Sequence, residues 1–264
     1  MQNKIVISGI FIILVAAIVW LVPMEQLSLY LNPAGLALVL GGTLIGVCIA
    51  YPFKSLRNLW QQICAMRADG LSHEELIHTF MHLSEVKRKD GVRACEELAR
   101  HSGNNFLALG AAMVADNRSL TDIRQRLDQE IDLFITKRES EVTILSLMGR
   151  LAPAFGLAGT VVGLIRMLHG LNDPSLVASG MSVALLTTFY GIMLANLIVL
   201  PLERKLRERL RIDAVEMTII GEGIIGLALD ENKAAIASRL RSYRFAPLVD
   251  NAVEVQLDKV EVRN

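Results

Sequence analysis

Four long apolar runs constrain this chain more than any other feature of its sequence. Residues Ile5–Val22 carry no charge and end at Pro23 and Glu25. Ala34–Ala50 opens after Asn32-Pro33 and closes at Tyr51-Pro52. Leu151–Leu168 contains one charge, Arg166, and Leu176–Leu202 contains none. A helix needs about 20 mostly apolar residues to cross the hydrocarbon core of a bilayer, so each run is a candidate span. The first is too long for a signal-peptide core and lacks a small-residue cleavage pattern, so it reads as an anchor. Between the second and third runs lies a mostly polar stretch. A mean hydropathy of +0.42 beside 20% charged residues fits that alternation of membrane and polar segments.

Lysine and arginine next to the spans set the orientation. Lys54 and Arg57 follow the second span; Lys137, Arg138 and Arg150 precede the third; Arg204, Lys205, Arg207, Arg209 and Arg211 follow the fourth. The short links Pro23–Pro33 and His169–Ser175 carry neither residue type. The expected fold is an all-α membrane protein. It has four transmembrane helices in two hairpins, a helical cytoplasmic domain between helices 2 and 3, and both termini in the cytoplasm. The segments are 1–52, 53–149, 150–202 and 203–264, with spans at about 5–22, 34–51, 151–169 and 176–201. So little chain on the periplasmic side disfavours a receptor with an external sensing domain. A formal net charge of +0 gives no electrostatic reason to expect nucleic acid. Cys48, Cys64 and Cys95 have no C-x-x-C spacing and read as reduced thiols.

The polar segments read as helices. Ser72 and Glu75 fit a capping box, Asp90-Gly91 a break, and Ser119–Asp122 a further helix start. Ile123, Leu127, Ile131, Phe134, Val142, Leu145 and Met148 then recur at three- and four-residue steps, apart from one doubled interval. That is an amphipathic helix running directly into the third span, able to couple movement outside the membrane to it. Residues 203–244 read as charged helix with an apolar stretch at Ile219–Leu229, and the chain from Ala246 has no clear pattern.

Small residues mark one face of each of the last two spans: Gly156, Gly159 and Gly163 on the third, and Gly180, Ala184, Thr187, Gly191 and Ala195 on the fourth. Small residues let helices approach closely in lipid, where apolar burial alone cannot drive association. Three hydroxyls lie on or near these faces: Thr160, Thr187 and Thr188. Hydroxyls and freed carbonyls are the oxygen ligands a hard cation prefers. Each threonine can equally bond to its own helix. Pro153 and Pro201 sit where the third and fourth spans meet the cytoplasm, as kinks or ordinary helix-end prolines. None of the four spans contains Asp or Glu. Ion relays usually need an intramembrane carboxylate, so a conducting complex would take one from a partner. Arg166 can snorkel to the far surface. The charge-dense stretch Glu85–Glu97 reads by itself as a solvated face. His78 and His82 have the i, i+4 spacing of a metal grip, but no third ligand is evident and no metal site is expected. No nucleophile elbow, P-loop or dinucleotide fingerprint occurs, and an enzyme is the least supported class.

The stretch APAFGLAGTVVGL at Ala152–Leu164, LNDP at Leu171–Pro174 and VALLTTFYG at Val183–Gly191, with Ala195-Asn196 and Pro201, resembles the MotA/PomA family of flagellar motor stator subunits. Weaker echoes are Asn32-Pro33 with Gly41-Gly42-Thr43, and Arg88 with Gly91, Glu96 and Glu97. The similarity spans roughly residues 5–244. It implies an inner-membrane motility protein of the wider MotA/TolQ/ExbB group. That protein forms a homo-oligomeric ring in membrane lipid, around a B-type partner with one span and a peptidoglycan-binding domain. The partner supplies the missing aspartate. It further implies that Arg88, Glu96 and Glu97 contact the rotor switch protein, that Pro153 and Pro201 couple ion passage to movement, and that Thr160 and Thr188 line the ion path. No cofactor is implied beyond the transported ion, and threonine at both positions resembles sodium-type rather than many proton-type members. Arg150 and Arg166 depart from the familiar sodium-type pattern. Four spans argue against the ExbB/TolQ branch, which resembles three, and the short tail against long-tailed antiphage forms. A non-conducting scaffold would tolerate valine at Thr160 and Thr188.

Overall fold

The computed structural model describes residues 30–65 and 73–242. The first apolar run, the Ser72 end of the expected capping box and the chain from Ala246 lie outside the described residues. Every regular element among the described residues is helical: α1 Pro33–Ala50, α2 Phe53–Ala65, α3 His73–Asp90, α4 Val92–His101, α5 Asn105–Ala115, α6 Leu120–His169, α7 Pro174–Met193, a π-helical stretch Leu194–Val199, α8 Leu200–Ala228 and α9 Lys233–Ser242. By length and composition α1, α6 and the continuous helix Pro174–Ala228 can cross a membrane.

The chain divides into two compact units, one holding Ser146–Pro201 with α1, the other holding Phe53–Leu145 and the segment from Leu202. The first unit is built on close helix approach. α6 and α7 run antiparallel, joined by a short turn in which Asp173 caps α7 through Ser175 N–H at 2.9 Å. At their crossing an added Cβ on Gly163 would stand 2.6 Å from the Ala184 nitrogen, and one on Gly180 would stand 2.8 Å from the Gly163 carbonyl oxygen. α1 starts at Asn32, whose side chain accepts from Gly35 N–H, with Pro33 pre-set for the first turn. It leans on the hairpin through Gly35 against Thr187, Gly42 against Phe155 and Gly46 against Leu151.

The second unit is an ordinary water-excluding core. Leu76, Ile77, Phe80 and Leu83 line the buried face of α3 and meet Ile123 and Leu127 of α6, Ile220 and Ile224 of α8, and Ile236 and Leu240 of α9. Ile131, Ile135, Leu210 and Ala214 form a second cluster. α6 begins where Ser119 Oγ accepts from Asp122 N–H at 3.1 Å. Its buried residues in this unit keep helical spacing from Ile123 to Leu145, and the helix continues through Pro153 without interruption. Gly91, with φ at 92°, takes the left-handed turn that ends α3 and starts α4. A turn at Leu229–Asn232 separates α8 from α9.

Candidate functional site: an oxygen cluster in the α6–α7 hairpin

The close approach of α6 and α7 brings Thr160 and Thr188 together. Gly156 and Gly191 face each other below them, and an added Cβ on Gly156 would meet the Thr187 carbonyl oxygen at 3.0 Å. With no side chain in the way, the two hydroxyl oxygens stand 2.5 Å apart. Thr160 Oγ1 also lies 3.2 Å from the Gly156 carbonyl oxygen and 3.3 Å from that of Ala184. Thr188 Oγ1 lies 3.4 Å from each of the same two carbonyls. Four oxygens thus share one spot on two helices. They hold only two hydrogens between them, so lone pairs are left over. Such a set suits a small hard cation, which replaces its hydration shell with carbonyl and hydroxyl oxygens. Both threonines are half-buried and open to one side of the hairpin.

Thr187 stands behind this cluster and shares only its Ala184 carbonyl. Its side chain is wholly buried at 0% exposure, wedged between Gly35 and Gly159. Its hydroxyl donates within its own helix, toward Val183 O at 2.9 Å and Ala184 O at 3.1 Å. Adjacent residues on a helix point about 100° apart, which is why Thr188 meets Thr160 and Thr187 packs against α1. Gly156, Gly159, Gly163 and Gly191 all lie on the α6–α7 contact.

The prolines flank the cluster on one side. Pro153 lies beneath Gly191, whose added Cβ would stand 3.2 Å from the Pro153 Cα. Pro201 follows the π-helical stretch, in which Leu200 N–H reaches five residues back to Ala195 O. Proline cannot donate a backbone bond and crowds the turn before it, so widening that turn relieves the misfit. Asn196 in this stretch donates to Ile192 O at 3.0 Å. Arg166 and Arg150 are exposed and make no ion pair among the described residues.

The second unit carries the charged candidates. Lys87, Arg88 and Lys89 are consecutive on α3 but have different partners. Lys87 pairs with Asp230 at 2.5 Å, and its ammonium also donates to the Leu227 carbonyl at the end of α8. Lys89 pairs with Glu85 at 3.2 Å, and that contact holds the Glu85 carboxyl below its usual range. Arg88 is exposed and has no ion pair among the described residues. On α4, Glu96 is held by Arg100 at 2.5 Å, whereas Glu97 is exposed without one. His78 and His82 line a cavity of about 380 Å³ that also includes His101, a third imidazole that the local spacing did not announce. Among the described residues no set of three or more His, Cys, Asp or Glu side chains is placed to hold a metal ion.

Sequence reasoning also missed Tyr190. Its hydroxyl accepts from Asn32 N–H at 2.8 Å and donates to the Tyr30 carbonyl, tying the start of α1 to α7. The clue in the sequence was a tyrosine in a mostly apolar span.

Residues 98–218 match the family described as the MotA/TolQ/ExbB proton channel family. The chain is 32% identical over 214 residues to YtxD of Bacillus subtilis, covering 80% of this chain and 78% of that protein. It is 27% identical over 221 residues to the chemotaxis protein PomA of Vibrio alginolyticus, covering 83% and 86%. Its fold superposes on a chain from the flagellar MotAB stator complex of Bacillus subtilis with a TM-score of 0.78 and 25% identity, covering 93% of this chain and 97% of that one.

Proposed function

Since this chain belongs to the MotA/TolQ/ExbB proton channel family, we propose that it is the ion-conducting A subunit of a flagellar motor stator, driven by sodium in preference to protons. The observation that carries the proposal is the four-oxygen cluster of Thr160 and Thr188 with the Gly156 and Ala184 carbonyls, set in spans without a carboxylate. A neutral oxygen cage can replace the water around sodium, and threonine at both positions resembles the sodium-type members of the family. The carboxylate then comes from a one-span B-type partner, around which copies of this chain form a ring in the inner membrane with both termini cytoplasmic. Thr187 supports the cluster as a packing residue rather than as a ligand. Pro153 and the widened turn before Pro201 give the hairpin two places to flex as an ion passes. Arg88 and Glu97, like Asp90 and Arg93, are exposed charges on α3 and α4 without ion pairs among the described residues, and they are the side chains offered to the rotor switch protein. Glu96 would first have to leave Arg100.

The test is the rotation of tethered cells powered only by this subunit and its partner, with external sodium varied at fixed proton-motive force. Speed should rise with sodium, and Thr160→Ala should weaken that dependence. Speed indifferent to sodium but lost on proton uncoupling would overturn the ion choice and keep the motor. Thr160→Val and Thr188→Val, which preserve shape and delete the hydroxyls, should both stop rotation. A non-conducting scaffold would be indifferent to them.

A further inference from the structure

We infer that α2 is a lipid-binding surface whose outward face holds anionic phospholipid headgroups of the leaflet into which α1 emerges. α1 is apolar along its length, and only Tyr51 and Pro52 separate its end from Phe53, the first residue of α2. At no more than about 3.5 Å per residue, Phe53 lies within roughly 10 Å of the end of the span.

α2 is amphipathic in an unusual sense. Its aliphatic residues point inward: Leu59 is buried, and Leu56 and Ile63 are half-buried. Its outward strip, at steps of four, three and four, is Phe53, Arg57, Trp60 and Cys64, flanked by Lys54. Phe53 is 80% exposed and Trp60 68% exposed. Two large aromatics facing water would be a poor arrangement, whereas aromatic rings interleaved with cations match the headgroup layer, where one part of the surface is apolar and the other wet. The sign of the charge is also one-sided. Lys54 and Arg57 make no ion pair among the described residues, and no Asp or Glu occurs anywhere from Tyr30 to Ala65. A purely basic, aromatic strip at the mouth of a span complements phosphate groups bearing net negative charge.

The inference rests on α1 being a membrane span. The chain has two tryptophans, Trp20 and Trp60, so Trp20→Phe leaves Trp60 as the only one. The full-length Trp20→Phe protein is reconstituted in phosphatidylcholine vesicles containing brominated phosphatidylglycerol or, at equal mole fraction, brominated phosphatidylcholine, and Trp60 fluorescence is read. Brominated phosphatidylglycerol should quench more strongly, because each surface cation engaged enriches the anionic lipid beside Trp60 roughly fivefold. Adding Lys54→Gln and Arg57→Gln should bring the two lipids level while leaving Trp60 quenched by both. Raising salt on the Trp20→Phe protein should also reduce the preference, without any change in α2. Equal quenching by the two lipids at low salt would overturn headgroup recognition. No quenching of Trp60 by either lipid would overturn the surface altogether, as would ready Cys64–Cys64 cross-linking between copies, since another subunit would then cover the strip. The Trp60→Phe protein keeps Trp20 in the first apolar run; loss of quenching there too would place the failure with the membrane reading itself.

Discussion

Lys87 and Asp230 stand 143 residues apart in the chain and meet at 2.5 Å. The Lys87 side chain is 11% exposed and that of Asp230 83%, so the two ends of the contact differ in weight. The ammonium is nearly desolvated, and it also donates to the Leu227 carbonyl at the end of α8, which accepts from Asp230 N–H at 3.2 Å as well and lies where a helix favours a positive charge. Ser84 on the same face of α3 donates to Glu231 O at 3.1 Å. Together they clamp the α8–α9 turn to the helix that carries Arg88.

Lys87→Met should therefore lower stability by about 1.5–3 kcal/mol, the usual contribution of a hydrogen bond made by a charged group. Asp230→Asn should cost well under 1 kcal/mol, because an exposed carboxylate contributes little through its charge and asparagine tolerates the left-handed backbone at φ 56°. Thermal unfolding of both variants in one detergent checks the ranking. Equal losses would mean that the ion pair, and not the helix end, holds the turn.

The glycines of the first unit give a sharper contrast. A Cβ on Gly163 would fall 2.6 Å from a backbone nitrogen and 2.7 Å from a backbone oxygen, whereas one on Gly41 meets nothing within 4 Å. Gly163→Ala must push α6 from α7, and overpacking of this kind typically costs about 1–3 kcal/mol. Gly41→Ala should be neutral or slightly stabilising, since alanine is the better helix former. Rotation speed should follow the same order, because separating the helices also parts Thr160 from Thr188.

Tyr190→Phe removes one hydroxyl and leaves Asn32 N–H and the Tyr30 carbonyl without their partner. Unmade bonds of this type cost about 1–3 kcal/mol when buried and less here, where the groups are partly exposed. The loss should be local. Hydrogen exchange should accelerate at residues 32–36 while the second unit keeps its protection.

Acid should stabilise the second unit before it denatures it. Burial raises the carboxyls of Glu141, Asp213 and Glu216, with Arg138 opposing the shift at Glu141, Arg209 opposing it at Asp213, and Asp213 adding to it at Glu216. A carboxyl raised in the folded state binds its proton more tightly there than in the unfolded chain. Its contribution is fully present below the ordinary carboxyl range and lost as pH rises through the raised value. The unfolding temperature should climb as pH falls from neutral toward that range. Glu141→Gln with Asp213→Asn and Glu216→Gln should flatten the climb. A wild-type profile that falls monotonically from pH 7 would show that other carboxylates dominate.

The described spans were legible because apolar runs of membrane length have few alternatives, and the turn at Gly91 because glycine takes its left-handed backbone without strain. The distinction between Thr187 and Thr188 was not legible: two adjacent threonines differ only in azimuth, and azimuth depends on where Gly35 and Gly159 approach. The Lys87 clamp and the joining of His101 to His78 and His82 were hidden for a related reason, since local periodicity says nothing of which distant helix a face will meet. The widened turn before Pro201 has only the proline as its signature, and most such prolines simply end helices.

Thr187 touches Gly35 on one side and adjoins Thr188 on the other. α1 and the oxygen cluster therefore share a wall one residue thick. Genetic suppressors of a damaged cluster need not arise near it in sequence: substitutions at Gly35, or at Tyr190 that fixes the start of α1, can reset the azimuth of α7. A selection for restored motor rotation in Thr188 variants would trace that wall, and revertants confined to a partner subunit would mean that α1 has no say in how the cluster is set.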